Sequence, residues 1–240
     1  MRVGACQTPE ILGDVDAALR VVLDHARAPV DLLLFPECFL QGYLVTEQHV
    51  REQAFDLGSP EFAAVLERLA PVRPMLVLGM IERAGAAYYN TAVVVAGGRV
   101  VGRYRKTFLV EGERVFDAGD DYPVFECAGT RFGVNICYDA QFPEAAAGVA
   151  ANGGQVLLVA AQNMMRRANA HRWQHRHNEI RARRARETGM WLVSADVTGE
   201  RGDLRVGLGP TCVMNPAGEV VAQVPAGEAG MVIFDITVRR

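Results

Sequence analysis

The sequence predicts one α/β domain in which two sheets pack against each other with helices outside. Three observations predict it. Strand-like and helix-like runs are mixed along all 240 residues, with no linker-like stretch, low-complexity segment or fixed-period repeat. The β-like runs outnumber the helical ones, which argues against a single doubly wound sheet. Hydrophobic residues make up 50% of the chain and charged ones 22%, enough apolar surface for a sizeable core and too little charge for disorder. Residues 1–240 are read as a single domain.

The elements follow from pattern and punctuation. Arg2 to Gln7 reads as a buried strand closed by Thr8-Pro9. From Asp14, a natural N-cap, Val15, Ala18, Leu19, Val22, Leu23 and Ala26 recur at helical spacing until Pro29. Asp31 to Phe35 is a short apolar strand that runs into Pro36-Glu37-Cys38. Ser59-Pro60-Glu61 opens a helix carrying Phe62, Val65, Leu66 and Leu69. Three β-like runs follow at Met75 to Ile81, Ala87 to Ala96 and Arg99 to Tyr104, with Gly97-Gly98 as a hairpin signal. Thr107 to Asp121 has no clean period and is expected to be an ordered loop. Val124 to Cys127 and Arg131 to Ile136 are strands. The helix after Pro143 stops at Asn152-Gly153-Gly154. Gln155 to Ala161 is a strand, and Asn169 to Glu187 a long basic helix. Trp191 to Ala195, Thr211 to Met214, Val220 to Val224 and Met231 to Asp235 complete the strands, with a turn at Asn215-Pro216-Ala217-Gly218.

Several classes are disfavoured. A net charge of −3 gives no pull toward nucleic acid or an anionic membrane. No apolar run approaches the roughly 18 residues that span a bilayer, and the N-terminus enters a strand without the layout of a signal peptide. The five cysteines are scattered with no C-x-x-C pair, against a disulfide framework and in keeping with a reducing cytoplasm. His171 and His175 are four apart, but no acidic or thiol ligand accompanies them, so no metal is expected. Eight arginines lie between Arg166 and Arg186, interrupted by Glu179 and Glu187, which reads as a solvated or subunit-facing helix rather than a nucleic-acid surface.

The chemistry centres on Arg131-Phe-Gly-Val-Asn-Ile-Cys137-Tyr-Asp-Ala-Gln-Phe-Pro143-Glu144. It sets a thiol on a strand-to-helix turn beside the free N–H groups of a helix start, where a thiolate and an oxyanion are both favoured. A cysteine attacking an amide carbon needs a base, donors for the developing anion, and an acid for the leaving nitrogen. No histidine sits at a strand end; Glu37 and Lys106 do. Taken singly, each has a dull reading as surface charge, and Cys137 as inert core. Cys38, beside Glu37, reads as packing. Met164, with Met165 beside it, follows a strand end on the cysteine side and is read as lining a substrate pocket, with core filling as the alternative.

Three blocks change those odds. Phe35-Pro36-Glu37 through Gly42-Tyr43, Tyr104-Arg105-Lys106-Thr107, and Ile136-Cys137-Tyr138-Asp139 with Phe142-Pro143-Glu144 resemble, in order, the signature blocks of the nitrilase (carbon–nitrogen hydrolase) superfamily. Glu113-Arg114 with Phe116 and Gly119, Trp173 with Arg183-Ala185-Glu187, and Asn215 to Glu219 extend the resemblance across almost the whole chain. It implies a four-layer α-β-β-α sandwich, commonly paired into homodimers or higher homo-oligomers. It also implies a cysteine-dependent amidase acting on a small amide or N-carbamoyl compound with water and without a cofactor. Glu37 would be the general base and acid, Cys137 the nucleophile, and Lys106 with the backbone N–H of Tyr138 the oxyanion holders. Glu113 resembles an accessory glutamate, with Glu111 as the fallback. Specificity is expected around Tyr43, the 107–121 segment, Tyr138, Gln141 and residues 162–168. Gln141 departs from a frequent arginine, Phe108 from a frequent histidine, and the Lys106-to-Glu113 interval is seven residues against eight in some relatives. A nitrile hydrolase with the same residues and a non-catalytic protein on the same scaffold are the rival readings.

Overall fold

The computed structural model describes residues 1–238. β1 (Arg2–Pro9) is buried through its interior and leads to α1 (Val15–His25), where the Asp14 carboxylate accepts from Ala17 N–H at 2.8 Å. β2 (Leu32–Leu34) is followed by α2 (Glu47–Gln53) and by α3 (Pro60–Leu69), capped by the Ser59 hydroxyl. β3 (Met75–Ala84), β4 (Ala87–Ala96) and β5 (Arg99–Arg105) form an antiparallel meander. β6 (Val124–Cys127), β7 (Thr130–Ile136), α4 (Pro143–Ala151), β8 (Val156–Ala160), β9 (Met164–Arg166) and α5 (Arg167–Thr188) come next. The chain continues through β10 (Trp191–Arg201), β11 (Arg205–Leu208), β12 (Cys212–Met214), β13 (Val220–Gln223) and β14 (Gly230–Asp235).

The strands run β5-β4-β3-β2-β1-β10-β8-β7-β6, with β14 antiparallel along β1 and the β12–β13 pair against β10. β10 joins two sheets. Its first half, Trp191 to Ala195, lies parallel to Val156 to Ala160, and Asp196 to Thr198 then lie parallel to Gln7 to Pro9. Period-two alternation sorts the side chains into three apolar layers. Val3, Leu34, Val77 and Val94 of one sheet meet Phe132, Val134, Leu158 and Val193 of the other in a central core. On the outer face of the first sheet, Leu33, Leu76 and Leu78 pack under Leu19, Val22, Phe62 and Val65 of α1 and α3. On the outer face of the second, Leu157, Val159 and Leu192 pack under Val149 and Ala185 of α4 and α5. The result is the α-β-β-α sandwich the sequence predicts.

Departures are local. α2, β9 and β11 were not expected, and β10 runs to Arg201 rather than ending at Ala195. The loop after Lys106 carries a 3₁₀ turn at Glu111–Glu113. The basic helix is not simply solvated, because Arg181 and Arg184 are buried on its inner face.

Candidate active site

Each of the main candidates leaves the end of a strand. β7 delivers Cys137 onto a 3₁₀ turn, Cys137–Gln141, with φ at 44°, a left-handed value costly for a residue with a side chain. The buried Asp139 holds that turn. Its carboxylate accepts from Ile136 N–H at 2.8 Å, from Phe108 N–H at 2.8 Å and from the Tyr104 hydroxyl at 2.7 Å. The turn bearing Cys137 is thereby tied to the loop that begins at Lys106.

Glu37 follows β2, and the next residue, Cys38, also has a left-handed φ, 47°. Glu37 N–H donates to Ala161 O at 3.3 Å, linking the base of one sheet to the end of β8 in the other. Gly79 of β3 leaves room for this bend, since a Cβ there would stand 2.2 Å from Pro36 O and 2.4 Å from Cys38 N.

Lys106 follows β5 directly, with its ammonium enclosed. Nζ donates to Glu37 Oε1 at 2.7 Å and to Glu113 Oε1 at 2.9 Å. Asn90, on β4, donates from Nδ2 to the same two oxygens at 2.7 and 3.0 Å, and its Oδ1 accepts from Cys38 Sγ at 3.4 Å. Glu113 Oε2 accepts from Val110 N–H at 2.9 Å. Among the described residues no hydrogen bond goes to Glu37 Oε2, which leaves that oxygen open. Glu111 points into solvent and pairs with Arg114, so it is Glu113 that meets Lys106.

The electrostatics follow from enclosure. Burial pushes the Glu37 carboxyl up to about 7; Lys106 opposes this, and the neighbouring Glu113 charge adds to it. Burial alone would lower Lys106, but the carboxylates of Glu37 and Glu113 outweigh it and hold the ammonium well above its ordinary value. The thiol of Cys137 is also held well above its ordinary value, by burial first and then by Glu37, with Lys106 only partly offsetting them. The expected resting thiolate is therefore corrected. Desolvation and the carboxylate outweigh the cation, so the sulfur keeps its proton until a base takes it.

A second network approaches Cys137 from the other side. Asn163, between β8 and β9, donates through N–H and Nδ2 to Asp196 at 2.9 and 2.5 Å, leaving Oδ1 3.9 Å from Cys137 Sγ. Asp196 in turn accepts from Arg181 at 3.3 Å, and Arg181 also donates to Ser194 Oγ at 3.1 Å and Pro210 O at 2.7 Å. Cys137 opens into a cavity of about 240 Å³ whose walls include Tyr138, Gln141, Asn163, Met165, Trp173 and His177.

The predicted substrate-side residues divide accordingly. Tyr138 and Gln141 line that cavity. Tyr43 lines a separate, narrow crevice with Glu37 and Cys38, its hydroxyl pushed up by burial and by Glu37. Met164 does not line the cavity; Met165 does, because neighbours on β9 face opposite ways and Met164 turns into the core. Phe108 stacks on Phe142 with ring centres 3.9 Å apart. Asn90, Asp196, Trp173, His177 and Arg181 were not singled out as site residues from sequence, though Trp173 carried a family signal; Asn163 falls in the 162–168 segment expected to set specificity.

A half-buried thiol on a strained turn, a carboxyl pushed toward neutrality and a buried ammonium thus stand at strand ends of an α-β-β-α sandwich. The profile of the carbon–nitrogen hydrolase family matches residues 2–240, and the chain belongs to that family, within the nitrilase superfamily. It is 30% identical over 204 residues to an (R)-stereoselective amidase from a Pseudomonas species, covering 85% of this chain and 72% of that one. It is 31% identical over 216 residues to the glutamine-dependent NAD(+) synthetase of Rhodobacter capsulatus, covering 87% of this chain but only 38% of that protein. Among solved structures, a nitrilase-superfamily amidase from Nesterenkonia AN1 superposes with a TM-score of 0.83 at 26% identity, covering 99% of this chain and 92% of that one. In another structure of that amidase, acrylamide has added at the active site cysteine. The chain is thus an enzyme of the amidohydrolase type.

Proposed function

We propose that the protein hydrolyses a non-peptide C–N bond of a small amide or N-carbamoyl compound through a Cys137 thioester, releasing ammonia. One observation carries the reading: a single buried ammonium, Lys106, is clamped at 2.7 and 2.9 Å by two buried carboxylates beside the open thiol. Glu37 Oε2 takes the Cys137 proton as sulfur attacks the carbonyl carbon. The oxyanion is held by Lys106 Nζ and the Tyr138 N–H. As the tetrahedral species collapses, Glu37 returns the proton to the departing nitrogen. Water then attacks the thioester with Glu37 again as base, and the carboxylic or carbamic acid leaves as the thiol is restored. Glu113 and Asn90 orient Glu37 and Lys106 rather than touching the substrate. A Glu37 carboxyl near 7 suits a group that must both accept and donate a proton at neutral pH.

The homo-oligomeric state implied by the resemblance and the cytoplasmic location suggested by the scattered cysteines belong to the same proposal; among the described residues no helix is long and apolar enough to cross a membrane. The test is ammonia release from a panel of primary amides, with intact-mass trapping of an acyl adduct. Wild type is expected to show both, Cys137→Ala neither. Equal turnover by the two proteins, or ammonia from nitriles but from no amide, would overturn the reading.

A further inference from the structure

We infer that the cavity beside Cys137 takes an uncharged, apolar acyl group up to about one aromatic ring in size, and turns away amides whose acyl part carries a carboxylate or an ammonium. The inference rests on the amidase reading above and names its substrate class.

The cavity is mostly apolar, with Asn163, Gln141, Tyr138 and His177 as its uncharged polar lining. Beside the sulfur stands Asn163, whose Nδ2 is committed to Asp196 at 2.5 Å, so the atom turned toward Cys137 is the acceptor Oδ1. An acceptor at that position suits the N–H groups of a carboxamide. Away from the sulfur the wall is Val110, Ala140, Met165, Trp173 and Ile180. Trp173, Ile180 and His177 come from one face of α5, three to four residues apart, so the helix presents them together.

Among the described lining residues, Arg181 carries the one formal charge, and it is already used. It is 3% exposed, its NH1 donates to Ser194 and to Pro210 O, and its NH2 pairs with Asp196. A substrate carboxylate would meet no free cation there. A substrate ammonium would meet no carboxylate, because Asp196 lies behind Asn163 and Arg181 and accepts from both. His177 offers no charge at neutral pH, since burial and then the Arg181 charge lower it to about 3. Lys106 is already shared by Glu37 and Glu113, and none of the three lines the cavity. A charged acyl group would therefore exchange water for neutral side chains such as Gln141, with no opposite charge to pair with.

Size sets the other limit. An apolar cavity of about 150 Å³ holds a benzene molecule. The 240 Å³ here accommodates one ring, or a branched chain of similar bulk, with its carboxamide against the sulfur.

Matched amides test this. Ammonia release by wild type is measured for isocaproamide against its shape match succinamate, for valeramide against γ-aminobutyramide, and for phenylacetamide. The apolar member of each pair is expected to have a kcat/KM at least ~100-fold higher, the scale of an uncompensated buried charge. Ile180→Trp, which fills the wall, is expected to lower phenylacetamide turnover at least ~10-fold relative to acetamide in the same preparation. Comparable turnover of charged and apolar partners, or an unchanged phenylacetamide-to-acetamide ratio in the variant, overturns the inference while leaving the amidase reading intact. Ammonia from none of these amides overturns both.

Discussion

At the scale of single residues, the site depends on groups whose charge state is set by burial. Glu37 must be ionised in the free enzyme to take the Cys137 proton, and its carboxyl is pushed up to about 7. The active form therefore exists above that value and is lost below it. We expect kcat/KM to rise ~10-fold per pH unit up to about 7 and then level, measured with a neutral amide so that the substrate does not titrate. A limb centred near 4.5 instead would mean that Glu37 is not the base. Lys106 faces the opposite constraint, since its neighbours keep it protonated across that whole range. Lys106→Ala should lower kcat by roughly 10²–10³, the loss typical of an oxyanion donor. Lys106→Arg should not restore it, because a planar guanidinium does not fit a point-charge site shared by two carboxylates. These principal residues were legible in the sequence because each stands in a compact block at a strand's end, Pro36-Glu37, Tyr104-Arg105-Lys106 and Cys137-Tyr138-Asp139. Asn90 and Asp196 were not legible, whereas Asn163 falls in the 162–168 segment expected to set specificity. A polar residue inside a strand-like run looks the same whether it faces solvent or a buried carboxylate, and only the pairing of β4 with β3 and of β10 with β1 decides which.

At the scale of elements, strands with an apolar run of their own were readable, the short β2, β6, β12 and β13 included, while β9 and β11 were not. β9 and β11 exist because they pair with each other and with the end of β10, a tertiary circumstance without a local signal. α2 buries only Val50, too little for a periodic pattern. α5 shows the reverse error. Its arginines suggested a solvated surface, yet Arg181 is turned inward and pairs with Asp196. Replacing that guanidinium by methionine would leave a buried carboxylate without its cation. Arg181→Met should cost roughly 3–5 kcal/mol at neutral pH by chemical denaturation. The loss should shrink as pH falls, because Asp196, already raised by burial, can then fold in its protonated form. β3 makes a different contribution. Its Gly79 touches the backbone of Pro36, Glu37 and Cys38, and no side chain fits there. Gly79→Ala must push the Glu37 bend outward. A stability loss of roughly 1–3 kcal/mol is expected, together with a fall in kcat of about 10²-fold from misplacing the base by the order of an ångström. Retained kcat would show that the bend can move without consequence.

At the scale of the whole molecule, the site lies where the two sheets are stitched together, and this makes its integrity a property of the entire sandwich. Glu37, Lys106 and Asn90 come from the β1–β5 sheet, while Cys137, Asn163 and Asp196 come from the ends of β7 and β8 and from the middle of β10. β10 belongs to both sheets, and the central core is shared between them. Separating the sheets would expose that core and pull base from nucleophile, so no stable half-folded state retains the site. The two tryptophans report on this directly. Trp173 stands on α5 at the cavity, and Trp191 packs on Phe234 at the start of β10, with ring centres 5.7 Å apart. Trp173→Phe and Trp191→Phe variants each leave one reporter. Urea unfolding followed by fluorescence is expected to give the same midpoint and slope from both, coincident with loss of circular dichroism. A chain of this length could unfold in stages, and an earlier transition at Trp173 would mean that α5 and the cavity wall detach before the sheets do. In that case the cavity would be a separable layer laid on a self-sufficient sandwich, and the single-domain reading of residues 1–240 would fail at α5.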